Sequence, residues 1–260
     1  MKNLYCSVAM GLAAISLGGC SEAETKITSA IKSVSGVKGE SYAFRGADQS
    51  WPGAGNADLV LADNKDTANY YVIFDGSGSM QETECGNGSQ RIEVAKQAVG
   101  TFFDALPKNA NVGLIIFDAK GTRNAVPLKP NDPDLLKSFT NDSSFGGGTP
   151  LGYTLDYAYK ELMKQGQMQQ GYGEFNIVVL TDGAASDPDD MEKAIEHITY
   201  NSPVSLHTIG FCLGDSHALN KKGVINYQPA ANAAELVKGL QSVLAESPSF
   251  DTASFDGDQS

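Results

Sequence analysis

The most suggestive polar residues of the sequence follow a short apolar stretch in its first third. The stretch 70–74 (YYVIF) runs directly into 75–79 (DGSGS), in which one carboxylate and two hydroxyls alternate with glycines. Glycine lets the backbone fold tightly, so the side chains of Asp75, Ser77 and Ser79 can turn toward one point. Short patterns of this kind also arise by chance, and the segment by itself is a weak motif.

Two later segments supply oxygen donors of the same kind. A glycine loop at 146–148 leads to the hydroxyl of Thr149, and the apolar run 175–180 ends at Thr181-Asp182-Gly183. The combined set has two carboxylates and three hydroxyls, and it comprises Asp75, Ser77, Ser79, Thr149 and Asp182. Such donors, without imidazole or thiolate, select hard divalent cations, Mg²⁺ above all, with Ca²⁺ or Mn²⁺ as alternatives. With two acids nearby, the ion keeps enough positive character to accept a carboxylate from another molecule.

The elements that must position these residues alternate between strand and helix. Buried strands are predicted at 70–74, 112–117, 175–180 and 204–211, with short strands at 122–128 and 224–227. Helices are predicted at 91–106, 132–139, from Pro150 onward, at 189–198 and at 231–244. This alternation predicts an α/β fold with a doubly wound, mostly parallel sheet and helices on both faces. Ligands of such sheets bind outside the carboxyl ends of the strands, where Asp75 and Asp182 fall.

Composition argues against a wholly disordered chain and against a nucleic-acid-binding protein. The chain has 260 residues, of which 41% are hydrophobic, so it has enough apolar material for a core. Its 31 acidic residues outnumber 19 basic ones and give a net charge of −12. A nucleic-acid partner is therefore not expected, because no basic surface is available to neutralise phosphates.

The first twenty residues have the layout of a secretory signal. Lys2 precedes an apolar run at 4–17, and the small residues Gly18 and Gly19 lead to Cys20. The sequence LGGC at 17–20 resembles the bacterial lipobox, which implies cleavage after residue 19 and a lipid on Cys20. An ordinary signal peptide is the alternative. Ser21 after the cysteine implies the outer rather than the inner membrane, facing the periplasm or the cell surface.

The segments that flank the core of the chain have simpler compositions. Residues 20–68 are expected to form an N-terminal arm or tether, and the alternative is that Trp51 packs onto the domain as an extra core element. Residues 247–260 are acidic and poor in apolar side chains, which predicts a disordered tail.

Two cysteines remain once the signal peptide and the lipid-bearing position are set aside. Cys85 and Cys212 would lie in an oxidising compartment, and neither has a CxxC partner. A disulfide between them is favoured over a metal site or a nucleophile.

The three polar segments, in their order along the chain, resemble the von Willebrand factor type A domain with its metal-ion-dependent adhesion site. The resemblance covers residues from about 69 to 244, within a domain predicted at 69–246, and implies a Rossmann-like three-layer sandwich. It implies that Ser77 and Ser79 coordinate the metal directly, and that Asp75, Thr149 and Asp182 do so directly or through water. The last coordination position belongs to an acidic side chain of a protein partner. The expected function is therefore metal-dependent protein binding by a lipid-anchored protein, with adhesion or complex assembly as its purpose.

Three other interpretations fit the sequence less well. A Mg²⁺-dependent envelope hydrolase or phosphotransferase using the same acidic residues is the main alternative, but no GxSxG nucleophile elbow or GxxxxGK[ST] phosphate loop is present, and an enzyme is not expected. The acid-rich segment 182–190 lacks the glycine and terminal glutamate of an EF-hand, and it is expected to be a solvated loop leading into a helix that is capped by Asp187 or Asp189. A dinucleotide-binding turn would need a third glycine after Gly78.

Overall fold

The computed structural model describes residues 50–55, 58–215 and 217–245. The predicted signal peptide, Cys20, the greater part of the arm and the tail at 247–260 lie outside these residues. Within the described ranges, no helix combines the length and the apolar character needed to cross a membrane.

The described part of the chain contains six strands and five α-helices. The strands are β1 (Ala68–Asp75), β2 (Asn111–Asp118), β3 (Gly121–Pro130), β4 (Glu174–Thr181), β5 (Ser205–Phe211) and β6 (Asn226–Ala230). The helices are α1 (Arg91–Ala105), α2 (Pro133–Asn141), α3 (Leu151–Met168), α4 (Pro188–Asn201) and α5 (Ala233–Ala245). A short 3₁₀ helix at Gly78–Gln81 follows β1.

All six strands form one sheet in the order β3-β2-β1-β4-β5-β6. Strand β3 pairs antiparallel with β2, and every other pairing is parallel. The predicted doubly wound, mostly parallel α/β sheet is thus confirmed. Strand β1 lies in the middle, and all eight of its residues are buried, as expected of a parallel strand that is covered on both faces.

The alternation of side chains along β1 builds a separate core on each face of the sheet. Tyr70, Val72 and Phe74 pack with buried residues of α1, α2 and α5. Tyr71 and Ile73 point the other way and pack with buried residues of α3 and α4. Successive residues of a strand face opposite sides, so one strand supplies both cores and is held rigidly between them.

The last strand differs in position from its prediction. The apolar residues Val224 and Ile225 belong to a turn, because the amide groups of both donate to the carbonyl of Lys221. Strand β6 begins at Asn226 and includes Pro229. Proline is tolerated there because β6 is the edge of the sheet and one side of its backbone needs no partner.

The described residues of the arm pack onto the domain. The ring of Trp51 lies 4.7 Å from that of Phe175 in an edge-to-face arrangement, and the Gln167 amide donates to the Pro52 carbonyl over 3.1 Å. Phe175 lies near the start of β4, and Gln167 near the end of α3. Residues 50–55 therefore attach at the end of the sheet opposite the carboxyl ends of the parallel strands, and Trp51 acts as an additional core element.

Helices α3 and α4 approach each other closely at Gly152. An ideal Cβ on Gly152 would lie 2.4 Å from the backbone nitrogen of Met191, the first buried residue of α4. Asp187 fixes the same junction, because its carboxylate accepts from the amides of Gly152 (3.0 Å) and Tyr153 (2.9 Å). Asp187 thus occupies the N-cap position of α4, as expected, but its side chain makes no capping hydrogen bond to α4 and instead caps the preceding helix α3.

We predict that Gly152→Ala destabilises the protein by about 2–3 kcal/mol, because the added methyl group overpacks a contact made by backbone atoms. Gly100→Ala is the matched control, since Gly100 also lies in a helix but an ideal Cβ there meets only the flexible side chain of Lys137 at 3.6 Å. The control should be neutral or stabilising by about 0.5–1 kcal/mol. Urea denaturation of both variants checks the prediction, and equal effects would contradict it.

Candidate metal centre

Asp75 is a buried carboxylate at the end of the central strand. Its Oδ1 accepts from the amide of Ser77 (2.7 Å) and its Oδ2 accepts from the hydroxyl of Thr181 (2.6 Å). Within the described part of the chain, Asp75 has no ion-pair partner. Burial, aided by the charge of Asp182, raises the pKa of Asp75 to about 6, and the hydrogen bonds offset this only partly. At pH 7 the group is ionised, so its charge lies in the protein interior without a counter-ion from these residues.

The two serines after Asp75 continue the cluster. The hydroxyl oxygens of Ser77 and Ser79 are 3.1 Å apart, and the Ser79 hydroxyl donates to Oδ1 of Asp182 over 2.6 Å. The 3₁₀ helix at Gly78–Gln81 produces this arrangement, because it turns the chain tightly just after the strand. Ser77 is 2% exposed and Asp182 4%, so this part of the cluster is shielded from solvent.

Thr149 joins the cluster from the glycine loop. An ideal Cβ on Gly183 would lie 3.5 Å from the Ser79 hydroxyl and 3.7 Å from the Thr149 hydroxyl, so both oxygens face the same glycine. The Thr149 carbonyl also accepts from the amide of Ser186 over 2.9 Å. The structure thus brings together all five side chains singled out from the sequence.

Backbone contacts fix the glycine loop against the end of β1. The amide of Gly146 donates to the carbonyl of Gly76 over 2.8 Å, and the amide of Gly78 donates to the carbonyl of Gly147 over 3.2 Å. Position 76 requires glycine, because an ideal Cβ there would lie 2.8 Å from Cβ of Asp118 at the end of β2. The ends of β1 and β2 can therefore meet closely beneath the loop.

Asp118 is a positioning residue that sequence reasoning missed. Burial alone would raise the pKa of Asp118, but hydrogen bonds from Arg123 and from the amides of Lys120 and Ser144 hold it below its usual value. The Arg123 guanidinium donates to both of its carboxylate oxygens, over 2.6 and 3.1 Å. The bond from the Ser144 amide (3.2 Å) anchors the start of the glycine loop. A single acid after an apolar strand gives no sign of this role.

Arg91 is a second residue whose role sequence reasoning missed, and it lies between the cluster and the disulfide. Its Nη1 donates to Oδ2 of Asp182 over 2.9 Å, and its Nη2 lies 3.2 Å from Sγ of Cys212. Its Nε donates to the Glu84 carbonyl over 3.2 Å. The structure joins Cys85 and Cys212 in a disulfide, which was favoured from the sequence. The bridge ties the loop after β1 to the end of β5, and Arg91 lies between this bridge and Asp182.

His217 contacts the loop after β4 from the outside. Its Nε2 lies 2.8 Å from the carbonyl oxygen of Gly183, and its Nδ1 accepts from the amide of Leu219 over 3.2 Å. These contacts fit a neutral imidazole with the proton on Nε2. Because both ring nitrogens contact backbone groups, His217 helps to hold the loop that carries Asp182 in place.

The chemistry of the donors fits a hard divalent cation. Two carboxylates and three hydroxyls lie in one cluster at the carboxyl ends of β1 and β4, and a cation bound there would balance the buried charge of Asp75. In residues 50–55, 58–215 and 217–245, no group of three or more His, Cys, Asp and Glu side chains is placed to hold a metal, and the candidate site itself has only two carboxylates beside its three hydroxyls.

Sequence comparison finds relatives of several kinds. The model of the von Willebrand factor type A domain matches residues 69–241. The chain is 27% identical over 164 residues to the uncharacterized protein YwmD of Bacillus subtilis, covering 58% of this chain and 70% of that one. It is 28% identical over 121 residues to the collagen alpha-6(VI) chain of Mus musculus, covering 46% of this chain and 5% of the relative.

Solved structures share the fold at low sequence identity. A von Willebrand factor type A protein from Catenulispora acidiphila superposes with a TM-score of 0.55 at 20% identity, covering 68% of this chain and 42% of that one. The pilus adhesin SpaC of Lactobacillus rhamnosus GG gives 0.53 at 16% identity, covering 73% and 31%. This chain spans less than half the length of both. Since the family model matches well over half of its residues, the chain belongs to the von Willebrand factor type A domain family.

Proposed function

We propose that the protein binds a protein partner through a divalent cation held by Asp75, Ser77, Ser79, Thr149 and Asp182, in a metal-ion-dependent adhesion site. The observation that carries the proposal is the buried Asp75 carboxylate, which has no counter-ion among the described residues and is surrounded by further oxygen donors. Mg²⁺ is the preferred ion, with Mn²⁺ or Ca²⁺ as alternatives.

The residues of the cluster would play different parts in binding the ion. Ser77 and Ser79 offer neutral oxygens, while Asp75 and Asp182 supply the negative charge that attracts a dication. Thr181 donates to one carboxylate oxygen of Asp75 and so orients that carboxylate. Arg91 does the same for Asp182. When bound, the cation would supply an electrophilic position for an oxygen ligand from outside.

The partner is expected to offer an acidic side chain. A carboxylate is the protein group best suited to complete the shell of a hard dication. A relative of the same fold, SpaC, is a pilus adhesin, which agrees with a role in adhesion or complex assembly.

We infer that the protein is exported and anchored by a lipid on Cys20, with the outer membrane as its expected site. Of the residues that would lie between this anchor and the domain, 50–55 pack at the end of the sheet opposite the proposed metal site, where Trp51 contacts Phe175.

A hydrolase or phosphotransferase using the same acids remains the alternative, and the histidines argue against it. Nucleophilic catalysis by a serine needs an adjacent base. His217 uses both ring nitrogens on backbone groups, His207 is buried within β5, and His197 is exposed on α4 near Trp51. Turnover of phosphate or ester substrates that is lost in Asp75→Ala would favour the enzyme.

We predict that Asp75→Asn and Asp182→Asn each weaken Mg²⁺ or Mn²⁺ binding by at least about tenfold, as measured by calorimetry. Their effects without metal should be opposite. Asp75→Asn removes an uncompensated buried charge and should raise the free energy of unfolding at pH 7 by roughly 1–3 kcal/mol. Asp182→Asn leaves buried Arg91 without its carboxylate and should lower that free energy by roughly 3 kcal/mol.

The sign of the Asp75 effect follows from its raised pKa. The folded protein binds the proton of Asp75 more tightly than the unfolded chain does, so the free energy of unfolding falls as the pH rises from 3.8 to about 6 and stays at the lower level at pH 7. Glu82→Gln is the control for the metal titration, because it removes an exposed acid just beyond the 3₁₀ helix and should change metal affinity by less than about twofold. Equal metal affinity in the wild type, Asp75→Asn and Asp182→Asn would contradict the metal site.

A second prediction concerns the partner. Proteins that co-purify with the wild type from native membranes should be released by chelator and recovered when Mg²⁺ is restored, because the cation bridges the two surfaces. Asp75→Asn should recover none of them. Chelator-resistant recovery that is equal for the wild type and Asp75→Asn would rule out binding through metal.

A third prediction concerns the anchor. Replacing the acylated thiol by Cys20→Ala should move the protein from the membrane fraction to the soluble fraction, because the lipid supplies the attachment. Cell fractionation followed by immunoblotting measures this, with Cys6→Ala as the control that should stay with membranes. Unchanged fractionation of Cys20→Ala would count against lipid anchoring.

A further inference from the structure

Arg91 is a cation built into the proposed metal site. Its side chain is 10% exposed, and its partner carboxylate on Asp182 is fully buried. Arg91 is also the first residue of α1, and its amide donates to the carbonyl of Glu82 over 2.8 Å. With the contacts to the Glu84 carbonyl and the Cys212 sulfur, its guanidinium is held on three sides. A side chain held in this way delivers its charge to a fixed place.

The charges around the site do not cancel when a metal is added. Asp75 and Asp182 contribute two negative charges, which a dication balances. Arg91 adds one positive charge that lies 2.9 Å from Asp182. The carboxylate of Glu84 is 3.6 Å from Arg91, but it is 81% exposed, so water screens its effect. The metal-loaded centre is thus cationic in a chain whose net charge is −12.

This excess charge has a direct consequence for the ligand. An acidic group that approaches an acidic protein is repelled by the surface as a whole. A buried positive charge acts at short range in a low-dielectric setting, where it is screened less than surface charges are. The position of Arg91 behind Asp182 lets it attract an anion to the metal while its hydrogen bond keeps Asp182 oriented.

We propose that Arg91 is a specificity-determining residue, which makes the metal-loaded centre selective for anionic ligands by leaving it with a net positive charge. This inference rests on the proposed function, since it assumes that a dication occupies the site. It adds to that function the residue that makes an anionic oxygen ligand preferred over a neutral donor such as an amide or hydroxyl.

The test uses Mn²⁺ as the bound ion and acetate as the probe, with neutral acetamide as the matched comparison. Water-proton relaxation reports Mn²⁺ binding to the protein and then the loss of metal-bound water when acetate takes its place. Arg91→Gln keeps an N–H donor for Asp182 and removes the charge, while Arg91→Lys keeps the charge. We expect acetate to bind the Mn²⁺-loaded Arg91→Gln variant about 5- to 10-fold more weakly than wild type. Arg91→Lys should stay within about twofold, and acetamide should not distinguish the three proteins.

The outcomes separate this inference from the proposed function. If Mn²⁺ does not bind the wild type, the proposed metal site fails. If Mn²⁺ binds and acetate binds the wild type and Arg91→Gln equally, the metal site stands and the role of Arg91 in specificity is wrong. Loss of Mn²⁺ affinity in Arg91→Gln, with unchanged acetate affinity of the loaded protein, also overturns the inference and leaves Arg91 only as a group that orients Asp182.

A second variant serves if Arg91→Gln does not fold. Glu84→Gln removes the exposed carboxylate near Arg91 and should make acetate bind about 1.5- to 2-fold more tightly at low ionic strength. The gain should vanish at high salt, because the charge is at the surface. Acetate binding that is unchanged or weaker at low ionic strength would contradict the inference.

Discussion

The ionised carboxylate of Asp75, buried at the end of the central strand, is the constraint on which the rest of the site depends. A charge without a counter-ion opposes folding, so the surrounding structure must hold it firmly. Strand β1 does so because it is paired on both edges and covered on both faces. The glycine at position 76 lets the end of β2 approach, and the glycine loop then closes over the end of β1. The fold thus holds an unfavourable buried charge in place, and a bound cation would offset that charge.

The two carboxylates of the site are held in different ways, and the difference has chemical meaning. Asp75 receives hydrogen bonds from neutral groups, whereas Asp182 is bound by both a hydroxyl and the guanidinium of Arg91. Asp75 should attract a dication more strongly than Asp182 does, because no positive group among the described residues balances its charge. Asp182 is already compensated, so a metal shared between them would keep positive character for a ligand from outside. The disulfide between Cys85 and Cys212 belongs to this arrangement, because its sulfur contacts Arg91.

The sequence was sufficient to predict the parts of the structure that depend on local patterns. Apolar runs located the buried strands, and the side chains after Phe74 and Leu180 could be placed at one edge because parallel strands end together. Ion pairs between distant residues could not be found in this way. Arg91 and Asp182 are 91 positions apart, and an arginine at the start of a helix has the same appearance whether it faces solvent or a carboxylate. The sequence predicted that Asp187 or Asp189 caps the helix that follows. Asp187 caps the preceding helix instead, because α3 packs against α4, and no local sequence pattern shows that packing. Strand β6 begins two residues later than predicted, because the apolar residues Val224 and Ile225 belong to a turn.

The placement of β1 also determines how the domain would respond to tension. The chain reaches the domain beside the start of β4, at the end where Trp51 packs, and Asp75 lies at the other end of the neighbouring strand. A pull between these two ends would run along β1, parallel to its axis. Because the chain enters β1 at one end and Asp75 lies at its other end, the covalent backbone of β1 would carry this load, and the hydrogen bonds to β2 and β4 would not have to open. Under the proposed function, a pull between tether and ligand would therefore be borne by covalent bonds along the axis of the central strand.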